Sequence, residues 1–349
     1  GSIFTGLYPF NSGINTFQYK TTKPNFFTHL QKLDYNIFTT VPNYAGVSKM
    51  ISTWIKQGGN NFRSNFERLE EGYGNDVIKR LYKDNLKEPW FHFLFLGDLH
   101  KSNITQTMDI PKQFDSEKFG ENKIERSISI IDEWLGKILE KVDLKSTLVI
   151  ITADHGEYIP IGEKRDQDYT PEFAKTVSVA KKILPKTLWP FAKKFAKKTR
   201  TKIQEKRFDD ATKNLTELEK RSLRYRAGEY LFDNLLRTPL LFCGNHIAKG
   251  KLVKNQVVNV DIFPTILDLI GLSQINEKID GESLVPLLKN ESSRVNPIYL
   301  ETASIVKDEM LGKAVGIRTS EYKYFRLRKS SKEKVHLYDL KNDPLEEHN

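Results

Sequence analysis

The sequence predicts an α/β fold with a mostly parallel sheet and a small antiparallel subdomain at its carboxyl end. Two strand-like apolar runs flank an amphipathic helix, and short alternating strands replace this pattern after Pro297. With 349 residues, the chain exceeds what one core usually holds, so we expect one large α/β unit with an appendage, or two domains. No unbroken apolar run is long enough to span a bilayer.

The strand, helix and strand of this unit lie between residues 89 and 155. The aromatic run 89–96 suits a strand covered on both faces, and residues 147–152 form a second, β-branched run. Between them, apolar residues recur at alternating steps of four and three and predict one buried helix stripe: Ile124, Ile128, Ile131, Leu135, Ile138 and Val142. The rules for crossover connections then predict that the two strands are parallel members of one sheet.

Titratable residues follow both predicted strands. His100 follows the first, and Asp154 and His155 follow the second, so parallel strands would bring them into one crevice. An aspartate beside a histidine offers one oxygen and one imidazole ligand, which suits Mg, Ca, Mn or Zn. On these residues alone, the simpler interpretation is a strand-to-loop turn in which Asp154 binds nearby amides, with His100 an ordinary loop histidine.

Further elements follow towards the carboxyl end. Residues 237–244 predict a short buried strand, and residues 261–271 predict a helix capped by Asp261 and ended by Gly271. Four strands are predicted in the appendage, at 298–301, 314–319, 322–328 and 335–340. We therefore expect an α/β core over residues 1–290, interrupted by an insertion at 160–228, and an antiparallel subdomain over 296–349.

The net positive charge of the chain is concentrated in the insertion. The net charge is +10, and residues 175–207 alone hold twelve Lys or Arg against one Glu. Pro185 and Pro190 divide the insertion into expected helices with interspersed aromatic residues. Three interpretations remain open: a solvated helical excursion, docking on an anionic membrane surface, or gathering of a polyanionic substrate. Nucleic acid is not expected as a partner, because no recognisable reading module is present.

The two strand-end motifs, Asp98-Leu99-His100 and Asp154-His155-Gly156-Glu157, resemble those of the sulfatase branch of the alkaline phosphatase superfamily. Other segments resemble the family in the same order: Thr5-Gly6, Arg237-Thr238-Pro239-Leu240, Val260-Asp261-Ile262-Phe263-Pro264-Thr265, Asp280-Gly281-Glu282-Ser283-Leu284, and Leu337-Tyr338-Asp339-Leu340. The resemblance implies a three-layer sandwich and a metal-dependent hydrolase of sulfate esters on a sulfated or phosphorylated small molecule or glycan. It implies Asp154 and His155 as ligands of a divalent cation, and His100 as a substrate contact or proton donor to the leaving oxygen.

The chain also departs from the family pattern. The nucleophilic Cys or Ser and two acidic metal ligands are expected upstream of Gly1, so the chain as given is expected to be an inactive fragment. Ala227-Gly228 stands where many relatives have His-Gly, and Val41-Pro42-Asn43-Tyr44 stands where many have Lys-x-His. Two alternatives therefore remain: a phosphodiesterase or phosphoglycerol or phosphoethanolamine transferase of the same superfamily, and an inactive polyanion-binding protein.

Overall fold

The computed structural model describes most of the chain, including Asp154 and His155 but not His100. The described residues are 1–14, 23, 25–42, 60–83, 86–99, 109–159, 185, 189–223, 231–272, 278–291, 296–302, 305–306, 311–312, 314–328 and 335–349. Positions 43, 44, 227 and 228, where the sequence departs from the family pattern, also lie outside them. The architecture combines helices, a parallel sheet and a carboxyl-terminal antiparallel sheet, which confirms the predicted fold class.

The parallel sheet is built from the first three strands. Strand β1 (Asn36–Val41) lies between β2 (Asn60–Arg63) and β3 (Trp90–Leu94), and both pairings are parallel. Three helices precede it: α1 (Ser2–Thr5), α2 (Pro9–Ser12) and α3 (Phe26–Lys32). Apolar side chains from α1, α3 and β1 form one core with those of a later helix, α9 (Ile262–Leu269). The first residues of the chain are thereby packed against residues some 260 positions later in sequence.

Strand β4 (Val149–Thr152) does not join this sheet in the described part of the chain. It pairs antiparallel with β5 (Leu240–Cys243), with Thr152 opposite Leu240, so the prediction that β3 and β4 share one sheet is wrong there. An amphipathic connecting helix indicates that a sheet face is covered, but it carries no information about which strand edges pair. Strand β5 is also not buried as predicted, because Leu241 is 52% exposed.

Helices α4 (Gly74–Lys83) and α5 (Lys123–Leu139) share a second core with a π-helical turn at Leu69–Tyr73. The helix at α5 was predicted correctly, but its buried stripe is rotated from the predicted one: Ile124, Ser127, Ile130, Trp134 and Ile138. Ile128, predicted to be buried, is 46% exposed. The cause is Trp134, whose ring packs closely against Gly74 and whose Nε1 donates to Glu70 Oε2 at 2.7 Å. The indole takes the core position and turns Ile128 outwards.

The insertion contributes two helices to the described residues, α6 (Trp189–Thr212) and α7 (Glu217–Ser222). Pro190 is the second residue of α6, where the missing amide proton of proline costs nothing. Two short helices flank α9, namely α8 (Asp233–Leu236) and α10 (Val285–Leu288). The predicted cap of α9 is wrong in detail. The Asp261 carboxylate accepts the backbone N–H groups of Val258 and Glu282, and makes no side-chain cap of the helix.

The carboxyl-terminal sheet confirms all four predicted strands. Strands β6 (Ile298–Glu301), β9 (Ala314–Arg318), β10 (Tyr322–Leu327) and β11 (Val335–Asp339) are antiparallel in the order β11-β10-β9-β6. Two strands of two residues each, β7 (Ile305–Val306) and β8 (Leu311–Gly312), were not predicted, since such short pairings leave no periodic signal. Phe325 of β10 lies at the centre of a third core, which also includes Tyr158.

Buried charges connect this sheet to α8. The carboxylate of Asp233 accepts two hydrogen bonds from Arg318, at 3.1 and 2.8 Å, and one from Lys323 Nζ at 2.7 Å. Lys323 also pairs with Glu346, whose carboxylate accepts the backbone N–H of Asp233 at 2.7 Å. Lys323 and Glu346 are fully buried. Four charged side chains therefore satisfy one another where the appendage meets the rest of the fold.

None of the helices within the described ranges combines the length and apolarity that crossing a membrane requires.

Candidate metal centre

The turn after β4 places the Asp154 and His155 side chains side by side. The Nδ1 atom of His155 lies 2.7 Å from the carbonyl oxygen of Gly156. Because a carbonyl only accepts, Nδ1 must carry the proton, and in the neutral ring Nε2 then holds the lone pair. Nε2 lies 3.8 Å from Asp154 Oδ1. The turn therefore presents one oxygen and one nitrogen donor within reach of a single small cation.

Backbone contacts hold this turn against α8. The N–H of Gly156 donates to the carbonyl of Leu235 at 2.7 Å. A Cβ atom at Gly156 would lie only 2.1 Å from the carbonyl oxygen of Asn234, so the close approach requires glycine. On the other side, Asn259 Nδ2 donates to the carbonyl of Ala153 at 3.2 Å. Asn259 is thus a positioning residue that the sequence analysis missed, because an asparagine after a loop gives no distinctive signal.

The first residues of the chain are held by the Asp280-Gly281 turn. Two backbone N–H groups, those of Asp280 and Gly281, donate to the carbonyl of Gly6 at 2.8 and 3.0 Å. The Asp280 carboxylate accepts the N–H of Tyr8 at 2.8 Å. The Asp280-Gly281 turn therefore holds the first residues of the chain in place.

Exposure distinguishes the pair from the structural acids of the fold. The side chains of Asp154 and His155 are 71% and 56% exposed. The donor atoms fit two positions of a divalent-cation shell, and the fixed tautomer of His155 leaves Nε2 in the form that binds a cation. In the described ranges, no group of three or more His, Cys, Asp or Glu side chains could hold a metal ion. The described residues therefore add no third such donor to the pair.

The other strand-end motif is only partly described. Asp98 is buried, and its Oδ1 accepts the backbone N–H of Leu69 at 3.0 Å at the start of the π-helical turn. Desolvation raises the pKa of Asp98 to about 6, although hydrogen bonds and Arg68 act against it. Asp98 therefore has a structural role. His100 lies outside the described residues, and its placement in one crevice with Asp154 and His155 stays a prediction.

The buried Asp98 carboxyl group is expected to make the stability of the protein depend on pH. Its folded-state pKa of about 6 lies above the ordinary value of 3.8, so the stability it contributes is full below pH 3.8 and is lost as the pH rises through 6. The loss amounts to roughly 3 kcal/mol. Asp98→Asn keeps an acceptor for Leu69 but cannot ionise, so the variant should gain stability over the parent at pH 7 and not at pH 4. Urea unfolding at both pH values tests this, and an identical pH dependence in the two proteins would contradict it.

A cavity of about 340 Å³ lies between the loop after β5 and the carboxyl-terminal sheet. Its lining is mostly amide, hydroxyl and ammonium side chains: Lys254, Asn255, Gln256, Asn296, Pro297, Thr319 and Ser320. The Cα atoms of Gln256 and Asn259 are at most about 11 Å apart along the chain, and Asn259 contacts the backbone just before Asp154. The cavity and the metal pair therefore lie in the same region of the molecule.

The sequence is similar to known sulfatases. A family model described as Sulfatase matches residues 1–272, and one described as N-sulphoglucosamine sulphohydrolase, C-terminal, matches residues 224–349. Arylsulfatase K of Xenopus laevis is 30% identical over 122 residues, which are 33% of this chain and 23% of that protein. N-acetylglucosamine-6-sulfatase of Bos taurus is 41% identical over 64 residues, 18% of this chain and 11% of that protein. The matched segments thus span less than a quarter of these relatives.

Solved structures are similar over nearly the whole chain. A Bacteroides thetaiotaomicron structure, described with the metabolism of multiple glycosaminoglycans, has a TM-score of 0.59 at 15% identity and covers 100% of this chain and 78% of that one. A Vibrio parahaemolyticus protein of the alkaline phosphatase superfamily has a TM-score of 0.52 at 16% identity, covering 98% and 67%. At such identities the likeness establishes the fold alone, and it confirms the alkaline phosphatase-like architecture.

Proposed function

Because this chain belongs to the sulfatase family, we propose that it forms part of a sulfuric ester hydrolase in which Asp154 and His155 bind a divalent cation. One observation carries the proposal. The Nδ1–H of His155 is directed to the Gly156 carbonyl, and this leaves Nε2 unprotonated at 3.8 Å from Asp154 Oδ1. Asp154 Oδ1 also accepts the backbone N–H of His155 at 3.1 Å, and both donor atoms stay exposed and adjacent for a cation.

The residues of this chain have separable roles in the proposed reaction. Asp154 and His155 hold the cation, for which the donor types suit Ca, Mg, Mn or Zn and which, when bound, would supply positive charge to the sulfate oxygens. Gly156 and Asn259 act by positioning, through the backbone contacts that fix the turn. His100 contacts the substrate or gives a proton to the ester oxygen that leaves.

We further propose a sulfated sugar as the substrate. The relative that is 41% identical over its matched segment is named for a sulfated amino sugar. The cavity lined by Lys254 and Asn296 supports the same choice, because amide and hydroxyl side chains in its lining, such as Asn296 and Ser320, can hydrogen-bond sugar hydroxyls. Lys254 adds a positive charge at its edge, which suits an anionic sugar.

The proposal keeps the expectation that a Cys or Ser nucleophile and two acidic ligands precede Gly1. The 349-residue chain alone is then expected to be inactive, since two ligands hold a cation weakly and the expected nucleophile would precede Gly1.

Sulfate release from a panel of sulfated glucosamines tests the proposal, in a form of the protein that includes the residues expected ahead of Gly1. We expect Asp154→Asn to lose activity by at least about 100-fold, because removing even an outer-shell partner of a metal ligand costs 10–100-fold. Asp132→Asn is the matched control, since Asp132 is an exposed carboxylate on α5. Full activity of Asp154→Asn, or of the 349-residue chain alone, would contradict the proposal.

Phosphodiester substrates and a polyanion-binding assay, run beside the sulfated glucosamines, decide between the alternatives. Phosphodiester cleavage or phosphoryl transfer without sulfate release would favour the phosphodiesterase or transferase. Binding of polyanions without any turnover would favour the inactive binding protein.

A further inference from the structure

Helix α6 exposes aromatic and basic side chains on one face of its amino-terminal half. This basic-aromatic face consists of Phe191, Lys194, Phe195, Lys198 and Lys202. Steps of three and four residues place these side chains on one side of a helix. All five are exposed, and the two phenylalanine residues are 74% and 73% exposed. Two large aromatic rings are thus held in water within one helical turn of each other.

The charge of α6 is concentrated in the same half. From Trp189 to Ile203 the helix has six basic residues and no acidic one: Lys193, Lys194, Lys197, Lys198, Arg200 and Lys202. Its three acidic residues follow later, at Glu205, Asp209 and Asp210. The carboxyl-terminal half is anchored, because Phe208 and Thr212 are 2% and 1% exposed. The helix therefore presents a cationic, aromatic end from an anchored base.

We propose that the basic-aromatic face docks on the surface of an anionic lipid bilayer, with α6 lying in the interface. Lysines there gain from the negative potential of anionic headgroups, and phenylalanine rings gain by entering the boundary of the acyl chains. A sulfated polysaccharide would satisfy the lysines but leave both rings in water. The exposure of Phe191 and Phe195 therefore favours a membrane over a polyanionic polymer. This docking is independent of the proposed hydrolase activity.

Vesicle sedimentation with the 349-residue chain tests the docking. We expect binding to phosphatidylcholine vesicles that contain phosphatidylglycerol, weaker binding without it, and a decrease with added salt. Substituting Lys194, Lys198 and Lys202 together by Gln should weaken binding by about 100-fold, because each basic residue near an anionic surface contributes to binding and three such contributions are lost. The matched control replaces three exposed lysines elsewhere, Lys213, Lys249 and Lys289, by Gln and should bind nearly as the parent does.

The aromatic rings have a separate test. Phe191→Ser with Phe195→Ser should weaken vesicle binding by about 10-fold or more while leaving retention on heparin unchanged, because only a bilayer accepts the rings. The control pair, Leu252→Ser with Leu337→Ser, removes side chains that are 79% and 56% exposed elsewhere. Retention on heparin without vesicle binding would overturn the proposal. So would equal losses in the control variants.

Discussion

Replacing Lys323 by Met is expected to destabilise the protein by about 3–5 kcal/mol, the usual cost of removing one partner from a buried ion pair. Lys323 is fully buried between the carboxylates of Asp233 and Glu346. Desolvation opposes ionisation of Asp233, yet the hydrogen bonds from Arg318 and Lys323 outweigh it and hold its pKa below the ordinary value. Desolvation raises the pKa of Glu346 despite Lys323. Without the ammonium, two adjacent carboxylates would share a site in which Arg318 pairs with Asp233 alone among the described contacts.

Urea unfolding at pH 7 measures this effect. Lys341→Met is the matched control, because Lys341 is exposed, lies just after β11 and makes no side-chain hydrogen bond or ion pair among those that the structure describes. The loss of stability caused by Lys323→Met should become smaller as the pH falls to about 4. Protonation of Asp233 and Glu346 then removes the repulsion between the two carboxylates and the cost of burying their unpaired charges. A deficit below 1 kcal/mol at pH 7, or one that does not change with pH, would contradict the role assigned to this cluster.

Replacing Gly156 by Ala is expected to disrupt the metal pair as well as the fold. The added Cβ would lie 2.1 Å from the carbonyl oxygen of Asn234 and 2.9 Å from that of Arg237. These are backbone atoms, so no side-chain rotation relieves the clash and the turn must move. The hydrogen bond from His155 Nδ1 to the carbonyl of residue 156 would then break, and so would the one from the N–H of residue 156 to the Leu235 carbonyl. We expect the free energy of unfolding to fall by more than about 2 kcal/mol. We expect the affinity for a divalent cation to fall by about 10-fold or more.

A second glycine provides the control for this substitution. Gly136 lies within α5, and a Cβ there would meet no atom within 4 Å. Gly136→Ala should therefore stabilise the protein by about 0.5–1 kcal/mol, because alanine favours the helix. Denaturant unfolding and titration with Mn²⁺ are measured on both variants. If Gly156→Ala retains the stability and the cation affinity of the parent, the account of the turn is wrong.

Periodic patterns in the sequence predicted the elements but not their partners. Alternating residues correctly predicted β6, β9, β10 and β11, because each strand shows its own period of two. The helix at α5 was also predicted, but the identity of its buried face depended on Trp134, whose large ring packs on Gly74 from a distant helix. The pairing of β4 with β5 depended on edges that lie about 90 residues apart along the chain, which local patterns do not encode.

The site was predictable to the extent that it is local. Asp154 and His155 follow a strand and lie on a turn, as their sequence context indicates. The fixed tautomer of His155 depends on the position of one carbonyl, and the support from Asn259 depends on a contact across 106 residues. The sequence also could not show that the Asp280-Gly281 turn holds the start of the chain, because that contact requires the folded structure.

Binding of a divalent cation by Asp154 and His155 is the central claim, and anomalous diffraction tests it most directly. The crystals would be grown with Mn²⁺ from a form of the protein that includes the residues expected ahead of Gly1. The account predicts an anomalous peak at about 2.0–2.4 Å from both an Asp154 carboxylate oxygen and His155 Nε2. An anomalous peak at another position, with the side chains of Asp154 and His155 exposed to solvent, would contradict it.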